Sequence, residues 1–323
     1  MGLLQDGKWV DEWYDTKASE GHFVRSSAQF RNWVTPEGDA GPTGIGGFKA
    51  EAGRYHLYVS LACPWAHRTL IFRTVKGLKD VISLSAVHWY MAEHGWTFEA
   101  GDGVIPDNVN GSEFMHQVYT NAEPKYSGRV TVPVLWDKKT GTIVSNESSE
   151  IIRMFNSAFD GVGARAGDYY PKALRAQIDK VNDRIFNTLN DGVYRCGFAT
   201  TQAAYEAALT PLFDTLDWLE AKLAKTRYLT GPLITEADWR LFPTLIRFDP
   251  VYVGHFKCNL HRIIDYPNLS NYLLDLYQQP GIEETVNIQH IKEHYYASHE
   301  TINPSRVVPM GPDIDLTQAH NRV

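Results

Sequence analysis

The sequence predicts an α/β domain followed by an all-helical domain. Between residues 51 and 165, short segments that alternate in polarity or are rich in aromatic residues are interleaved with segments of helical periodicity. From residue 166 to 323, apolar residues recur at helical spacing. A chain of 323 residues is long enough for two domains, each with its own core. Residues 1–50 mix aromatic with turn-forming residues, so we expect an irregular arm there.

The α/β domain is predicted element by element. A strand comes first, then a helix with proline in its first turn and glycine at its end, then a second strand. A hairpin with a Lys-Thr-Gly turn and an amphipathic helix complete the domain. In order, these elements are YHLYVSLA, PWAHRTLIFRTVKG, VISLSAV, VTVPVLWD, GTIVSN and ESSEIIRMFNSAF. The polar, Gly-rich stretch from about residue 88 to 129 is interpreted as an insertion. This order of elements is that of the thioredoxin fold.

The helical domain is predicted from two long periodic segments and one helix start. The segments are AQIDKVNDRIFNTLNDGVY and AYEAALTPLFDTLDWLEAKLAK. Thr235 is placed as an N-cap with Asp238 three residues later, which is a variant of the capping box. A helix is therefore expected to begin at Thr235.

Charge and cysteine content restrict the class of function. The formal net charge of −7 argues against a general nucleic-acid binder, which needs a concentrated basic face. The N-terminus shows no signal peptide, and no apolar run approaches the roughly 20 residues that span a bilayer. The three cysteines are too few for a disulfide framework, so we expect a cytoplasmic protein. We interpret Cys196 and Cys258 as small buried hydrophobes.

The tetrapeptide CPWA, which begins at Cys63, is the most informative motif. Pro64 suits the first helical position, which leaves Cys63 at or next to the N-cap. The N–H groups and partial positive charge of a helix start favour a thiolate there. Ala66 stands where a dithiol oxidoreductase has its second cysteine, so the predicted chemistry is monothiol, with an external thiol resolving the mixed disulfide. The alternative is that Cys63 is a buried small hydrophobe.

Two further features fit a site for a peptide-like thiol. Pro133 follows Val132 at the start of a strand, where proline needs an edge or a cis turn. In thioredoxin-like folds this proline is cis and presents the preceding backbone to such a thiol. Ser148 at the next helix start offers N–H groups and a hydroxyl to a carboxylate, while Glu147 could hold an ammonium group. An edge-strand proline and simple helix capping are the alternatives. The three features in one domain are more specific together than Cys63 alone.

These features resemble the thiol-binding half of a glutathione transferase, and the helical region resembles the second domain of that superfamily. Whole phrases make the resemblance closer. The phrases EAGRYHLYVSLACPWAHRTL, DPVYVGHFKCNL, DYPNLSNYLLDLY and HYYASHETINPSRVVPMGP resemble the glutathionyl-hydroquinone reductases, the Xi class of glutathione transferases. The resemblance runs from about Phe23 to Pro312.

The resemblance implies a homodimer of chains with a thioredoxin-like N-terminal domain and an all-helical domain. It implies that S-glutathionyl-hydroquinones are reduced to hydroquinones and glutathione disulfide, with glutathione as co-substrate and no metal. The family nucleophile falls on Cys63. The family's glutathione contacts fall on Trp96, Arg129, Val132, Glu147 and Ser148. Its substrate-side tyrosines fall on Tyr194, Tyr252 and Tyr295, with Tyr296 as the other candidate for the last.

Other interpretations remain open from the residues themselves. An omega-like glutathione-dependent thiol transferase or dehydroascorbate reductase shares the Cys-Pro start. A non-catalytic protein that binds aromatic ligands would have no need of Cys63 at a helix start. Taken without the family, each tyrosine is a core or interface residue. Residues 290–294 fit the His-x-x-Glu-His pattern of zinc proteases. Such a site needs a further ligand from another element, and we do not expect a metal there.

Overall fold

The computed structural model describes residues 2–322 and divides the chain into two compact units. The first unit comprises the chain up to Trp13, Ser26–Gly167 and Glu284–His294. The second unit comprises Tyr14–Arg25, Asp168–Glu283 and the chain from Tyr295 onward. One change of unit, at Gly167, lies close to the domain border predicted at residues 165 and 166. Segments 14–25 and 284–294 depart from the predicted division, and no local sequence pattern marks them.

The first unit has the predicted order of strand, helix, strand, hairpin and helix. In chain order its elements are β1 (Leu3–Gln5), β2 (Lys8–Val10), β3 (Tyr55–Val59), α1 (Pro64–Val75), β4 (Ser83–Ala86), α2 (Met115–Ala122), β5 (Gly128–Arg129), β6 (Val134–Asp137), β7 (Thr142–Ser145) and α3 (Ser148–Ser157). The main sheet has the strand order β4-β3-β6-β7. In it β3 pairs parallel with β4 and antiparallel with β6. All five residues of β3 are buried, as expected of a central strand that is covered on both faces. The thioredoxin-like order is confirmed.

A second, smaller sheet joins the N-terminus to the predicted insertion. The strands β2, β1 and β5 pair in that order, and Leu3 lies opposite both Val10 and Arg129. The arm expected over residues 1–50 is therefore not irregular over Leu3–Gln5 and Lys8–Val10. Strands this short carry little sequence pattern, and their pairing depends on a partner that lies far along the chain.

The second unit is helical, as predicted. Its helices are α4 (Arg175–Ile185), α5 (Gly192–Gly197), α6 (Gln202–Leu223), α7 (Glu236–Arg247), α8 (Pro267–Tyr277) and the end of α9 (Ile288–Ser298). Short 3₁₀ turns of this unit occupy Lys172–Leu174 and Ile263–Asp265, and π-helical turns occupy Phe186–Asn190 and Phe248–Tyr252. Of the other 3₁₀ turns, Asp160–Val162 lies in the first unit and Glu283–Thr285 spans a change of unit. The first π-helical turn divides the segment predicted as one helix into α4 and α5.

The predicted helix start at Thr235 is confirmed. The Thr235 N–H donates to Asp238 Oδ2 at 2.7 Å, which is the backward half of a capping box. Asp238 also accepts from the Tyr272 hydroxyl at 2.8 Å. None of the helices within residues 2–322 combines the length and the apolar character needed to cross a membrane.

Candidate functional site

Cys63 is the N-cap of α1, with Pro64 in the first turn, as the sequence predicts. Its side chain is half-buried, and the thiol donates to the Val132 carbonyl oxygen at 3.5 Å. The Val132–Pro133 peptide bond is cis, as expected. The first turn of α1 contains no acidic residue. No carboxylate within that turn therefore opposes the helix-end charge that favours a thiolate.

The other positions that bear on the thiol chemistry are buried. Ala66, one turn into α1, is fully buried, so no second thiol follows Cys63 at that position. Cys196 and Cys258 are buried free thiols, as predicted. Burial and a hydrogen bond with Cys196 hold the pKa of the Cys258 thiol well above its ordinary value. Because only the thiolate is a nucleophile, Cys258 is unsuited to the reaction and Cys63 is the better candidate.

The start of α3 is built around Glu147 and Ser148. Glu147 is the N-cap, and its Oε1 accepts from the Ser149 N–H at 2.9 Å and from the Ser149 hydroxyl at 2.8 Å. Ser148 is the first residue of the helix, and its side chain is buried. The structure thus shows Glu147 capping α3, which is one of the two roles that the sequence left open for this helix start. Because capping uses Oε1, the second carboxylate oxygen of Glu147 can still accept from an ammonium group.

Arg129 and Trp96 are held by partners within the first unit. Arg129 in β5 donates to the carbonyl oxygens of Glu12 and Trp13, the second at 3.0 Å. Trp96 is buried and stacks on His294, with 4.6 Å between ring centroids and 28° between ring planes. All five residues expected to contact glutathione thus lie in the unit that contains Cys63. Their role in binding stays a prediction.

The histidines of the zinc-protease pattern have structural hydrogen bonds. His290 Nε2 lies 2.5 Å from the Asp102 carbonyl oxygen, and His294 Nδ1 lies 2.8 Å from the Trp89 carbonyl oxygen. Within residues 2–322, no group of three or more His, Cys, Asp or Glu side chains is arranged to hold a metal ion. Both histidines thus have partners within the first unit, and His294 also stacks on Trp96.

Tyr194, Tyr252 and Tyr295 come together in the second unit as a hydrogen-bonded group, which we call the tyrosine triad. Tyr295 Oη lies 2.5 Å from Tyr194 Oη and 3.1 Å from Tyr252 Oη. Tyr296 does not join them, because its hydroxyl donates to the Pro250 carbonyl oxygen at 3.4 Å. The structure thus places Tyr295, and not Tyr296, with the other two tyrosines.

Tyr295, which contacts both other members of the triad, keeps its proton at neutral pH. Burial above all, and then the proximity of Tyr194 and Tyr252, raise the pKa of Tyr295 well above its ordinary value, while Arg247 opposes the rise. Three hydroxyls carry three protons, and the two contacts among them use two. The third proton is not used by these two contacts. The arrangement can therefore donate a hydrogen bond or a proton.

Sequence reasoning missed Arg25, which places a cation against the triad. Its Cζ lies 4.7 Å from the ring centroid of Tyr194, and its Nε lies 2.5 Å from Asp191 Oδ1. Burial lowers the pKa of Arg25, but Asp191 and the neighbouring tyrosines shift it upward overall, so the guanidinium stays charged. No sequence signal joins Arg25 to Tyr194, because only the fold brings the two segments together.

Comparisons of the sequence with known proteins point to one family. Models of the glutathione S-transferase N-terminal and C-terminal domains match residues 62–158 and 202–274. The chain is 59% identical over 323 residues to glutathionyl-hydroquinone reductase YqjG of Escherichia coli strain K12, covering 100% of this chain and 98% of that protein. It is 58% identical over 312 residues to glutathionyl-hydroquinone reductase PcpF of Sphingobium chlorophenolicum, covering 97% and 96%.

Solved structures agree with the sequence comparisons. The glutathione-bound structure of YqjG superposes with a TM-score of 0.92 and 56% identity, covering 99% of each chain. The Xi class glutathione transferase from Natrialba magadii superposes with a TM-score of 0.94 and 48% identity, covering 100% of this chain and 97% of that one. Both similarities extend over the two units.

Proposed function

This chain belongs to the glutathionyl-hydroquinone reductases, the Xi class of glutathione transferases, and we propose that Cys63 is the nucleophile of its reaction. Its activity is the glutathione-dependent reduction of S-glutathionyl-hydroquinones to hydroquinones. The position of the Cys63 thiol at the start of α1, beside the backbone of Val132, is the observation that carries the proposal.

In the first step the Cys63 thiolate attacks the sulfur of the glutathionyl group. A sulfur–sulfur bond forms and the carbon–sulfur bond breaks, so its electron pair goes to the ring. A keto tautomer of the ring accepts this pair as an enolate, whose charge rests on oxygen. The ring carbon receives its proton when the keto tautomer forms, and one O–H group of the tyrosine triad supplies it. Phenolic O–H groups of the triad then stabilise the enolate oxygen, which takes up a proton to give the hydroquinone.

In the second step a glutathione thiolate attacks the mixed disulfide on Cys63. Glutathione disulfide leaves, and Cys63 returns as a thiolate. The sum of the two steps is one S-glutathionyl-hydroquinone and one glutathione converted to hydroquinone and glutathione disulfide. The ring is reduced, and the two glutathione sulfurs are oxidised. Ala66 supports external resolution, since no cysteine stands one turn along α1.

Glutathione binds, in this proposal, to Trp96, Arg129, Val132, Glu147 and Ser148. A glutathionyl sulfur bonded to Cys63 lies close to the Val132 carbonyl, which is 3.5 Å from Cys63 Sγ. The Ser148 hydroxyl and the N–H groups at the start of α3 suit a carboxylate. The free oxygen of Glu147 suits the glutathione ammonium group.

The chain acts as a homodimer in the cytoplasm, in the same proposal. The family resemblance supports the dimer, and light scattering that gives the mass of one chain would contradict it. The three free cysteines are consistent with a reducing compartment.

The proposal is tested by treating the protein with glutathione disulfide and locating the adduct by mass spectrometry. We expect one glutathione adduct, on Cys63, and release of hydroquinone when a glutathionyl-hydroquinone and glutathione are added. An adduct on Cys196 or Cys258 in place of Cys63 would contradict the assignment. Thiol transfer without hydroquinone release would favour an omega-like enzyme.

A further inference from the structure

Two buried histidines in the second unit share a hydrogen bond that the proposed reaction does not use. His255 Nε2 lies 3.1 Å from His299 Nδ1, and both side chains are buried. The two rings stack, with 5.3 Å between centroids and 26° between planes. A hydrogen bond between two imidazoles needs an N–H donor on one ring and an unprotonated nitrogen on the other. It therefore fixes the relative orientation of the two rings.

The two histidines follow two of the triad tyrosines along the chain. His255 comes three residues after Tyr252, and its backbone N–H donates to the Val251 carbonyl oxygen at 2.7 Å. His299 comes four residues after Tyr295, directly beyond the end of α9. The hydrogen bond therefore joins the segment that carries Tyr252 to the segment that carries Tyr295.

Ring contacts continue from the histidines to the triad. His299 meets the Tyr295 ring edge-on, with 5.4 Å between centroids and 87° between planes. Phe256 stacks on Tyr252 at 5.5 Å and on His299 at 5.9 Å. A shift of either histidine would therefore move a ring that packs directly against a triad tyrosine.

We propose that the His255–His299 hydrogen bond positions Tyr295 and Tyr252 for proton donation to the hydroquinone ring, so that both histidines are positioning residues. This inference rests on the proposed role of the tyrosine triad. The hydroxyl contacts of the triad, at 2.5 and 3.1 Å, demand that the two segments be held to within a fraction of an ångström. A misplacement of about 1 Å at a reacting group can cost about 100-fold in rate.

The inference is tested with two kinds of substitution at each histidine. The side-chain amide of asparagine reaches the position of histidine Nδ1, and that of glutamine reaches the position of histidine Nε2. His299→Asn and His255→Gln therefore retain a hydrogen bond between the two residues. Phenylalanine keeps the stacked ring and removes the hydrogen bond. We expect His299→Phe and His255→Phe to slow single-turnover hydroquinone release by about 10-fold with little change in KM, and the amide variants to stay within about threefold of wild type.

A double-variant comparison separates this inference from the role of the triad. If the pair acts through Tyr295, then Tyr295→Phe combined with His299→Phe is no slower than Tyr295→Phe alone. Cys63 adduct formation with glutathione disulfide should be unchanged in every histidine variant, because that step needs no ring proton. Wild-type turnover in Tyr295→Phe would show instead that the role proposed for the triad is wrong.

Two results would overturn the inference while leaving the proposed function in place. One is wild-type hydroquinone release in both phenylalanine variants while Tyr295→Phe is slow. The other is a slow but stably folded His299→Asn variant, because it retains the hydrogen bond. The amide variants keep the test decisive even where a phenylalanine variant does not fold.

Discussion

At the scale of single residues, Ser148 reports most directly on glutathione recognition. Ser148→Ala removes one hydroxyl at the start of α3 and should weaken glutathione binding by about 1–2 kcal/mol, the order expected for a hydrogen bond to a charged group. Isothermal calorimetry measures the change. Ser157→Ala, at the exposed far end of the same helix, is the matched control and should bind as wild type does. Equal affinity in the two variants would place the carboxylate of glutathione elsewhere.

The tyrosine triad makes a second prediction at the residue scale. Phenylalanine at position 194, 252 or 295 keeps the ring and removes the donor, so hydroquinone release should fall by about 10-fold or more, with stability little changed. Tyr296→Phe is the matched control, because the Tyr296 hydroxyl bonds to the Pro250 carbonyl and lies outside the triad. Full activity in all three triad variants would show that these tyrosines only pack in the core and do not act in the reaction.

The same residues show what sequence could not decide. The family resemblance identified Tyr295 and Tyr296 as alternatives, and neighbouring helical residues differ by about 100° in direction, so only the packing of α9 chooses between them. The His255–His299 pair was not predicted either, because its hydrogen bond joins residues from separate segments of the chain. The spacings from Tyr252 to His255 and from Tyr295 to His299 were the local signals.

At the scale of secondary-structure elements, two π-helical turns precede or contain triad tyrosines. Phe186–Asn190 comes just before α5, which carries Tyr194, and Phe248–Tyr252 ends on Tyr252. A π-helical turn inserts an extra residue in a helix and often marks a functional site. Helical periodicity in the sequence did not reveal these turns, because each is only five residues long and continues directly from an α-helix.

The short helix α5 depends on a glycine for its fit. A Cβ added at Gly197 would lie 2.1 Å from Phe256 Cδ1, whereas one added at Gly192 would lie 3.7 Å from Leu212. Gly197→Ala should therefore lower the free energy of unfolding by about 1–3 kcal/mol and displace Phe256 from Tyr252. Gly192→Ala, in the same helix, should be neutral or stabilising by up to about 1 kcal/mol. Chemical denaturation compares them, and equal stability would contradict this packing.

At the scale of the whole molecule, the order of elements was predictable and the assignment of segments to units was not. The thioredoxin-like order follows from local patterns such as YHLYVSLA and CPWA, each of which specifies its own structure. Segments 14–25 and 284–294 belong to a different unit from the residues on either side of them along the chain. Such assignments depend on contacts between distant residues, for which a single sequence contains no periodic signal.

The central claim is that the Cys63 thiolate performs the reduction, and Cys63→Ser tests it most directly. The measurement is steady-state hydroquinone release from a glutathionyl-hydroquinone, together with glutathione affinity by calorimetry. We expect release to be abolished while glutathione binding is largely retained, because the groups proposed to hold glutathione lie outside the thiol. Near-normal release by the serine variant would show that Cys63 is not the nucleophile.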